Sequence, residues 1–282
     1  MMPGQNPWIP VAPDWETVLE KYANPIEALS EIDTPAVIIR QAYNPDHCAG
    51  LIRRFIDEDL MYDQDALDTD SSAVPPRRID IGTSLGNRGE APADFFAHAQ
   101  ETHQRFKTLF KGFDNPVTTL YDALSRLAPG KRIVTAYEPD GRLYSPAIFR
   151  IHYGGIGYEP HFDSVRRREK RVNYEAYRFE HQLAGIICFQ NSEIEGETAQ
   201  SILHRCLWMP DINDHIKENT FHQYATENDI ENVQVNLEVG DLYFFNTRGI
   251  HEVPGVKGRA PRIVLAIFIG YSPDDEEVFV WS

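Results

Sequence analysis

His161-Phe162-Asp163, followed at a distance by His251 and then by Arg262, is the set of residues in this sequence best suited to chemistry. In extended backbone, residues i and i+2 project to one side, so the His161 imidazole and the Asp163 carboxylate can grip one metal ion. His251 can complete the set. Two imidazoles and one carboxylate on one face of an octahedral ion leave three adjacent positions open, a donor set that suits Fe(II) in oxygenation chemistry.

The tripeptide alone carries little information in a chain with 10 His and 43 acidic residues, so its surroundings matter. Ile148-Phe149-Arg150-Ile151-His152-Tyr153-Gly154-Gly155 reads as a strand ending in a glycine turn, which puts the motif just past a strand end. Val239-Gly240-Asp241-Leu242-Tyr243-Phe244-Phe245-Asn246 reads as a turn and a buried strand, with His251 five residues further on. Both ligand groups are thereby expected at strand edges. From Ala260 to Gly270 the chain is nearly all β-branched and aromatic, and Arg262 is its one charge after Pro261. An Arg entering a buried strand costs free energy unless an anion accompanies it. A dicarboxylate cosubstrate would supply that anion, because the guanidinium fork matches a carboxylate with two parallel hydrogen bonds.

These residues resemble the Fe(II)/2-oxoglutarate-dependent oxygenases. The matching pattern runs Tyr153, Tyr158, Pro160, His161, Asp163, then Glu195-Gly196-Glu197-Thr198, then Gly240-Asp241 before an apolar strand, His251 and Arg262. Within that superfamily the chain is similar to the free-standing halogenases of indole-alkaloid natural products and to the related hydroxylase of N-succinyl amino acids. The spacings Arg150 to His161 and His251 to Arg262 and the Trp281-Ser282 ending carry that similarity. The resemblance implies a mainly β fold with supporting α-helices, a double-stranded β-helix (jelly-roll, cupin-like) core. It implies Fe(II) held by His161, Asp163 and His251, 2-oxoglutarate held by Arg262, and O2 as oxidant. The halogenases carry a small residue where this chain has Asp163, leaving a site for halide; the retained carboxylate implies hydroxylation of an unactivated C–H, with succinate and CO2 released.

One departure concerns the second donor to 2-oxoglutarate. Many members place Ser or Thr two residues after the Arg, and here that position is Val264. Arg150, Tyr153 and Thr198 are the candidates for that role. Tyr158, Arg78, Arg166 and Arg167 are the candidates for substrate contacts.

Composition bounds the partners. With 282 residues the chain can bury a large core, and we expect one oxygenase domain, residues 1–140 as mostly helical support with a pocket loop and 141–282 as the jelly roll. A formal charge of −16 argues against nucleic acid, whose phosphates need a basic footprint. Cys48, Cys188 and Cys206 form no C-x-x-C pair and suggest neither disulfides nor a thiolate zinc site. No apolar run reaches the roughly 18 residues that span a bilayer, and the start lacks a signal-peptide pattern. A soluble cytoplasmic enzyme acting on a free, anionic small molecule is the expectation.

In the first half, helices are expected at Asp14 to Tyr22, Pro45 to Asp57 with Asn44 as N-cap, Ala93 to Lys111 and Pro116 to Leu127, and a strand at Ala36 to Arg40. Asp63 to Gly89 is polar and reads as a long loop with one strand near Arg78 to Gly82, either a pocket-lining segment or a surface excursion. The basic run Arg166-Arg167-Arg168-Glu169-Lys170-Arg171 is either a solvated face or a lid over an anionic substrate. His152 reads as a hydrogen-bonded core histidine, and Glu195 to Thr198 as no more than a turn on its residue types. Other readings stay open: desaturation, epoxidation or cyclisation at the same site, peptidyl hydroxylation, a zinc hydrolase using the same triad, or a non-catalytic jelly-roll binding protein. A zinc hydrolase gives Arg262 no reason for burial, and a binding protein has no need of all three ligands. The collagen-type prolyl pattern has Lys where this chain has Arg262.

Overall fold

The structure, a computed structural model, describes residues 8–11, 18, 21–63 and 77–282. Its strands are β1 (Ala36–Ile39), β2 (Arg78–Ile81), β3 (Arg132–Thr135), β4 (Ile148–His152), β5 (Tyr158–His161), β6 (His181–Gln190), β7 (Glu193–Ile194), β8 (Glu197–Thr198), β9 (Ser201–Leu207), β10 (Asn232–Val235), β11 (Leu242–Asn246), β12 (Gly249–Val253), β13 (Arg262–Tyr271) and β14 (Glu277–Trp281). The apolar run after Pro261 becomes β13, the spine of an eight-stranded sheet ordered β1-β11-β6-β13-β14-β3, with β4 also on β13 and β2 on β4. β6 flanks β13 on one side, while β4 and then β14 flank it on the other. A strand hydrogen-bonded on both edges and covered on both faces has no polar side to show, which is why its sequence lacks clean alternation.

Alternation still decides what each face does. On β4, Phe149 and Ile151 join the main core while Ile148, Arg150 and His152 line a cavity; on β13, Ile263 and Leu265 go to the core while Arg262, Val264 and Ala266 face the cavity. A second sheet, β10-β9-β12-β5, closes the other side of that cavity. Two facing sheets of mostly antiparallel strands give the jelly roll expected from the sequence.

Helices cover the outer face of the larger sheet. Helix Pro45–Asp57 starts as expected, with Pro at its first turn and the Asn44 side chain accepting from Asp46 N (2.8 Å). It buries Cys48, Leu51 and Phe55, one stripe at helical spacing. Helix Pro116–Leu127 repeats the device, with Asn115 accepting from Val117 N (2.9 Å) and Leu120, Leu124 and Leu127 inward. The long helix is Pro92–Leu109, one residue earlier at its start and two at its end than expected, because Pro92 fits a helix's first turn. The strand near Ala36 ends at Ile39, one residue short. The helix expected at Asp14 to Tyr22 lies outside the described residues except for Val18, Lys21 and Tyr22, as does the 64–76 part of the expected loop. The rest of that loop holds β2, where a strand was expected near Arg78 to Gly82, and a short helix, Leu85–Arg88, that polar composition did not signal.

Gly240 in the turn before β11 has φ +90°, and a Cβ there would lie 2.2 Å from Tyr43 O. Beside it the buried Asp241 carboxylate accepts from Gln41 N and Glu238 N. Gly240-Asp241 therefore locks β1 to β11. All three cysteines are buried and free. Among the described residues no helix is long and apolar enough to cross a membrane.

Phe149 is fully buried against Phe55 (4.8 Å between ring centroids) and Phe189 (5.0 Å). Phe149→Ala should destabilise the fold by about 3–5 kcal/mol, seen as a lower urea midpoint at unchanged slope.

Candidate active site

β5 and β12 are antiparallel neighbours in the smaller sheet, with His161 directly opposite His251. Their rings lie 4.2 Å apart. Past the end of β5, Phe162 stacks on Trp208 (4.6 Å, 19°), while Asp163 lies on the side of His161. Asp163 is pinned by its N–H to Thr247 O (2.8 Å) and by Thr247 Oγ1 donating to its carbonyl (3.0 Å). Asp163 Oδ2 consequently sits 3.9 Å from His161 Nε2 and 3.8 Å from His251 Nε2. One ligand atom from each residue lies within 4.8 Å of the others.

The tautomers follow from the outer partners. Nδ1 of His161 faces Glu159 O (2.7 Å) and Nδ1 of His251 faces Gly249 O (2.9 Å), and carbonyls only accept, so Nδ1 carries the proton in each ring. Both Nε2 lone pairs then point at Asp163. Two nitrogen lone pairs and a carboxylate oxygen facing one another repel unless a cation stands among them, so these residues fit a divalent metal. Burial, with His161 adding to it, holds the His251 imidazole down at about 3, so it stays neutral and able to ligate. Burial works to raise the Asp163 carboxyl, but positive charge on His161 and His251 when those rings are protonated, and on Arg168 and Arg150, outweighs it and leaves it below the usual carboxylate range.

The triad opens into a cavity of about 510 Å³ between the sheets. An aromatic ladder runs through it: Phe245 meets the His251 ring edge-on (5.0 Å, 72°) and stacks on Tyr243 (5.2 Å, 9°). Tyr243, whose hydroxyl pairs with Ser201 Oγ (2.8 Å), is close enough to Arg262 to feel its charge. Arg262 is buried, and Arg150 has a buried Nε without a hydrogen-bond partner. Among the described residues no carboxylate lies within ion-pair distance of either. Two guanidiniums without a carboxylate partner, one buried and one half-buried, in a cavity between two sheets call for an anionic ligand.

Residues 14–282 match the family of the carrier-protein-independent halogenase WelO5. The chain belongs to this family. Comparison with curated protein sequences gives no match. Among solved structures, an N-substituted L-amino acid dioxygenase from Burkholderia ambifaria AMMD is 14% identical with a TM-score of 0.57, the alignment covering 91% of this chain and 90% of that one. A structure of such a dioxygenase in complex with alpha-KG, from the same organism, gives 17%, 0.57, 92% and 91%. At that identity the likeness establishes the fold. Family membership and the His-Asp-His cluster place the chain among the Fe(II)/2-oxoglutarate-dependent oxygenases.

For this WelO5-family member, the residues expected at the site divide into two groups. His161, Asp163, His251, Arg262, Arg150, Tyr158 and Arg78 all border the cavity. Arg78 is already neutralised by a two-pronged pair with Asp80 (2.7 and 2.6 Å), which weakens its claim on an anionic substrate. Tyr153, Thr198, Arg166 and Arg167 do not border it. Tyr153 follows Arg150 by three residues, so alternation turns it into the main core, where its hydroxyl faces Tyr62 O (3.2 Å). Thr198 belongs to the β7–β8 hairpin, its Oγ1 accepting from Gln200 Nε2 (3.0 Å). In the basic run the chain forms a π-helical turn, Val165–Glu169, that sends Arg168 and Glu169 to the cavity and lays Arg166 over Tyr177.

His152 is a buried histidine hydrogen-bonded to the Tyr158 hydroxyl (2.7 Å), but it also borders the cavity. Sequence reasoning named Arg168 and Glu169 only as part of the basic run, and missed Tyr243, Ser201 and Phe245 as lining residues. Alternation along Leu242 to Asn246 could have paired Tyr243 with Phe245 on one face; nothing local marked Ser201.

Burial and then Arg262, Arg78 and Arg150 hold His152 down at about 3, against an ordinary 6.5. Between those values the unfolded chain binds the extra proton, so this group's stabilisation is full above pH 6.5 and lost as pH falls toward 3. His152→Gln should therefore flatten the fall in urea midpoint of the metal-free protein across that window, while His251 keeps part of the slope.

Proposed function

We propose that this protein is an Fe(II)- and 2-oxoglutarate-dependent dioxygenase that hydroxylates an unactivated C–H of a free small molecule bearing an anionic group. The overall reaction consumes O2 and 2-oxoglutarate and yields alcohol, succinate and CO2. The observation that carries this reading is Asp163: its carboxylate is present, pinned at its backbone, and aimed at both imidazoles. The halogenases that the chain resembles have a small residue there, so here no coordination position is released for halide.

Bound Fe(II) would supply the redox centre at which O2 oxidises the keto acid and the substrate. His161 and His251 would hold it through Nε2 and Asp163 through the Oδ2 that faces them. Arg262 takes the distal carboxylate of 2-oxoglutarate in its fork. Val264 cannot donate; the nearby Tyr243–Ser201 hydroxyl pair and the unpartnered Arg150 Nε supply the further donors. Ile186, Phe245, Val264, Ala266 and Phe268 form an apolar wall that keeps water from the reacting C–H. Arg150, where the cosubstrate leaves it free, is the cation that an anionic substrate would meet, since Arg168 is paired with Asp163 (2.8 Å).

Anaerobic addition of Fe(II) and 2-oxoglutarate should produce the visible charge-transfer band of a chelated keto acid. Arg262→Ala should weaken cosubstrate binding by about 2–5 kcal/mol, the cost of truncating one partner of a buried charge pair. Absence of the band in folded, iron-loaded protein would overturn the reading. Acidic amino-acid derivatives screened by succinate release should give a product carrying oxygen from O2, with no chlorinated product when chloride is present; a chlorinated product would return the chain to halogenation.

A further inference from the structure

Asp163 uses its two oxygens differently. Oδ2 faces the imidazoles, while Oδ1 accepts from Arg168 Nη1 at 2.8 Å. The same Nη1 donates to Phe162 O, also at 2.8 Å, so one guanidinium nitrogen fixes both the carboxylate and the backbone that carries it. We propose that Arg168 is a positioning residue for the metal ligand Asp163, directing Oδ2 to the metal and holding Oδ1 away from it. The proposal rests on the metal-site reading above.

The π-helical turn delivers that contact. Arg168 N and Glu169 N both donate to Ser164 O (3.0 Å each), Ser164 Oγ accepts from Arg167 N (2.9 Å), and the turn ends at Lys170 with φ +54°. Its start is tied to the larger sheet by Val165 N donating to Gln182 Oε1 (2.7 Å). A wide turn of this kind shifts which side chain faces back along the chain, and such turns recur at functional sites. Here it returns Arg168 to Asp163, five residues earlier. A carboxylate free to rotate could offer both oxygens to the metal and fill a position that the cosubstrate or O2 requires; the charge-assisted hydrogen bond to Oδ1 opposes that.

Two effects of Arg168 on metal binding have opposite sign. Its charge repels a dication, and its hydrogen bond orients the ligand. The side chain is 49% exposed, so solvent screens the repulsion while the short contact keeps its geometry, and orientation wins. Loss of an outer-shell partner of a metal ligand typically costs 10–100-fold in affinity.

The test is anaerobic titration of metal-free protein with Co(II), whose ligand-field absorption reports coordination as well as occupancy. Arg168→Ala should bind about 10–100-fold more weakly, with an altered spectrum. Arg168→Lys should recover most of the affinity and the parent spectrum, since a single cationic nitrogen makes both contacts. Arg166→Ala, in the same turn but outside the cavity, should behave as the parent. Parent-like or tighter binding by Arg168→Ala with an unchanged spectrum would overturn the proposal. Should Arg168→Ala not fold, the comparison passes to Arg168→Lys and Arg168→Gln, where equal affinity and spectra would overturn the charge-assisted role. A parent that binds no Co(II) would instead overturn the metal-site reading itself.

Discussion

The antiparallel register that sets His161 opposite His251 is the constraint on which the rest of the site depends. Side chains on a strand alternate faces, so a slip of one residue between β5 and β12 would send one imidazole away from the cavity and dissolve the triad. The register is held from outside the pair. β9 grips the far edge of β12, Phe162 is stacked on Trp208, and Thr247 bonds Asp163 to the turn between β11 and β12. Metal geometry in this protein is thus a property of sheet pairing.

The same sheets solve an electrostatic problem. Burying Arg262 and half-burying Arg150 without carboxylate partners is costly, and so is bringing two neutral imidazoles up to a carboxylate. Each cost is relieved by a ligand of opposite charge, an anion near the arginines and a cation at the triad. In the proposed reading one cosubstrate meets both needs, because 2-oxoglutarate has a carboxylate at one end and metal-chelating oxygens at the other. The stacked rings of Tyr243 and Phe245 lie between the arginines and the triad. His152, kept neutral among three guanidiniums, adds a polar contact without adding charge.

How much was legible in the sequence varied with the range of the interaction. The helices Pro45–Asp57 and Pro116–Leu127 were, because Asn caps, Pro at the first turn and a leucine stripe are local signals. Tyr153 shows the opposite case: adjacent to the pattern in sequence, it is carried by alternation into the core. Thr198 sits in a hairpin turned from the cavity, and the basic run divides, with Arg168 inward and Arg166 over Tyr177. A row of like side chains gives no hint of which one a π-helical turn will send back.

The sequence by itself determined the ligand types, their order along the chain and the charge buried in β13, because donor chemistry and hydrophobic patterning are written residue by residue. Only the tertiary structure decided that His161, Asp163 and His251 converge, that Arg150 lacks a carboxylate partner while Arg78 is neutralised, and that Asp163 shares itself between the two imidazoles and Arg168. Those are relations between residues brought together by strand register and turn type, and the energy that fixes them comes from long-range pairing rather than from any local stretch of chain.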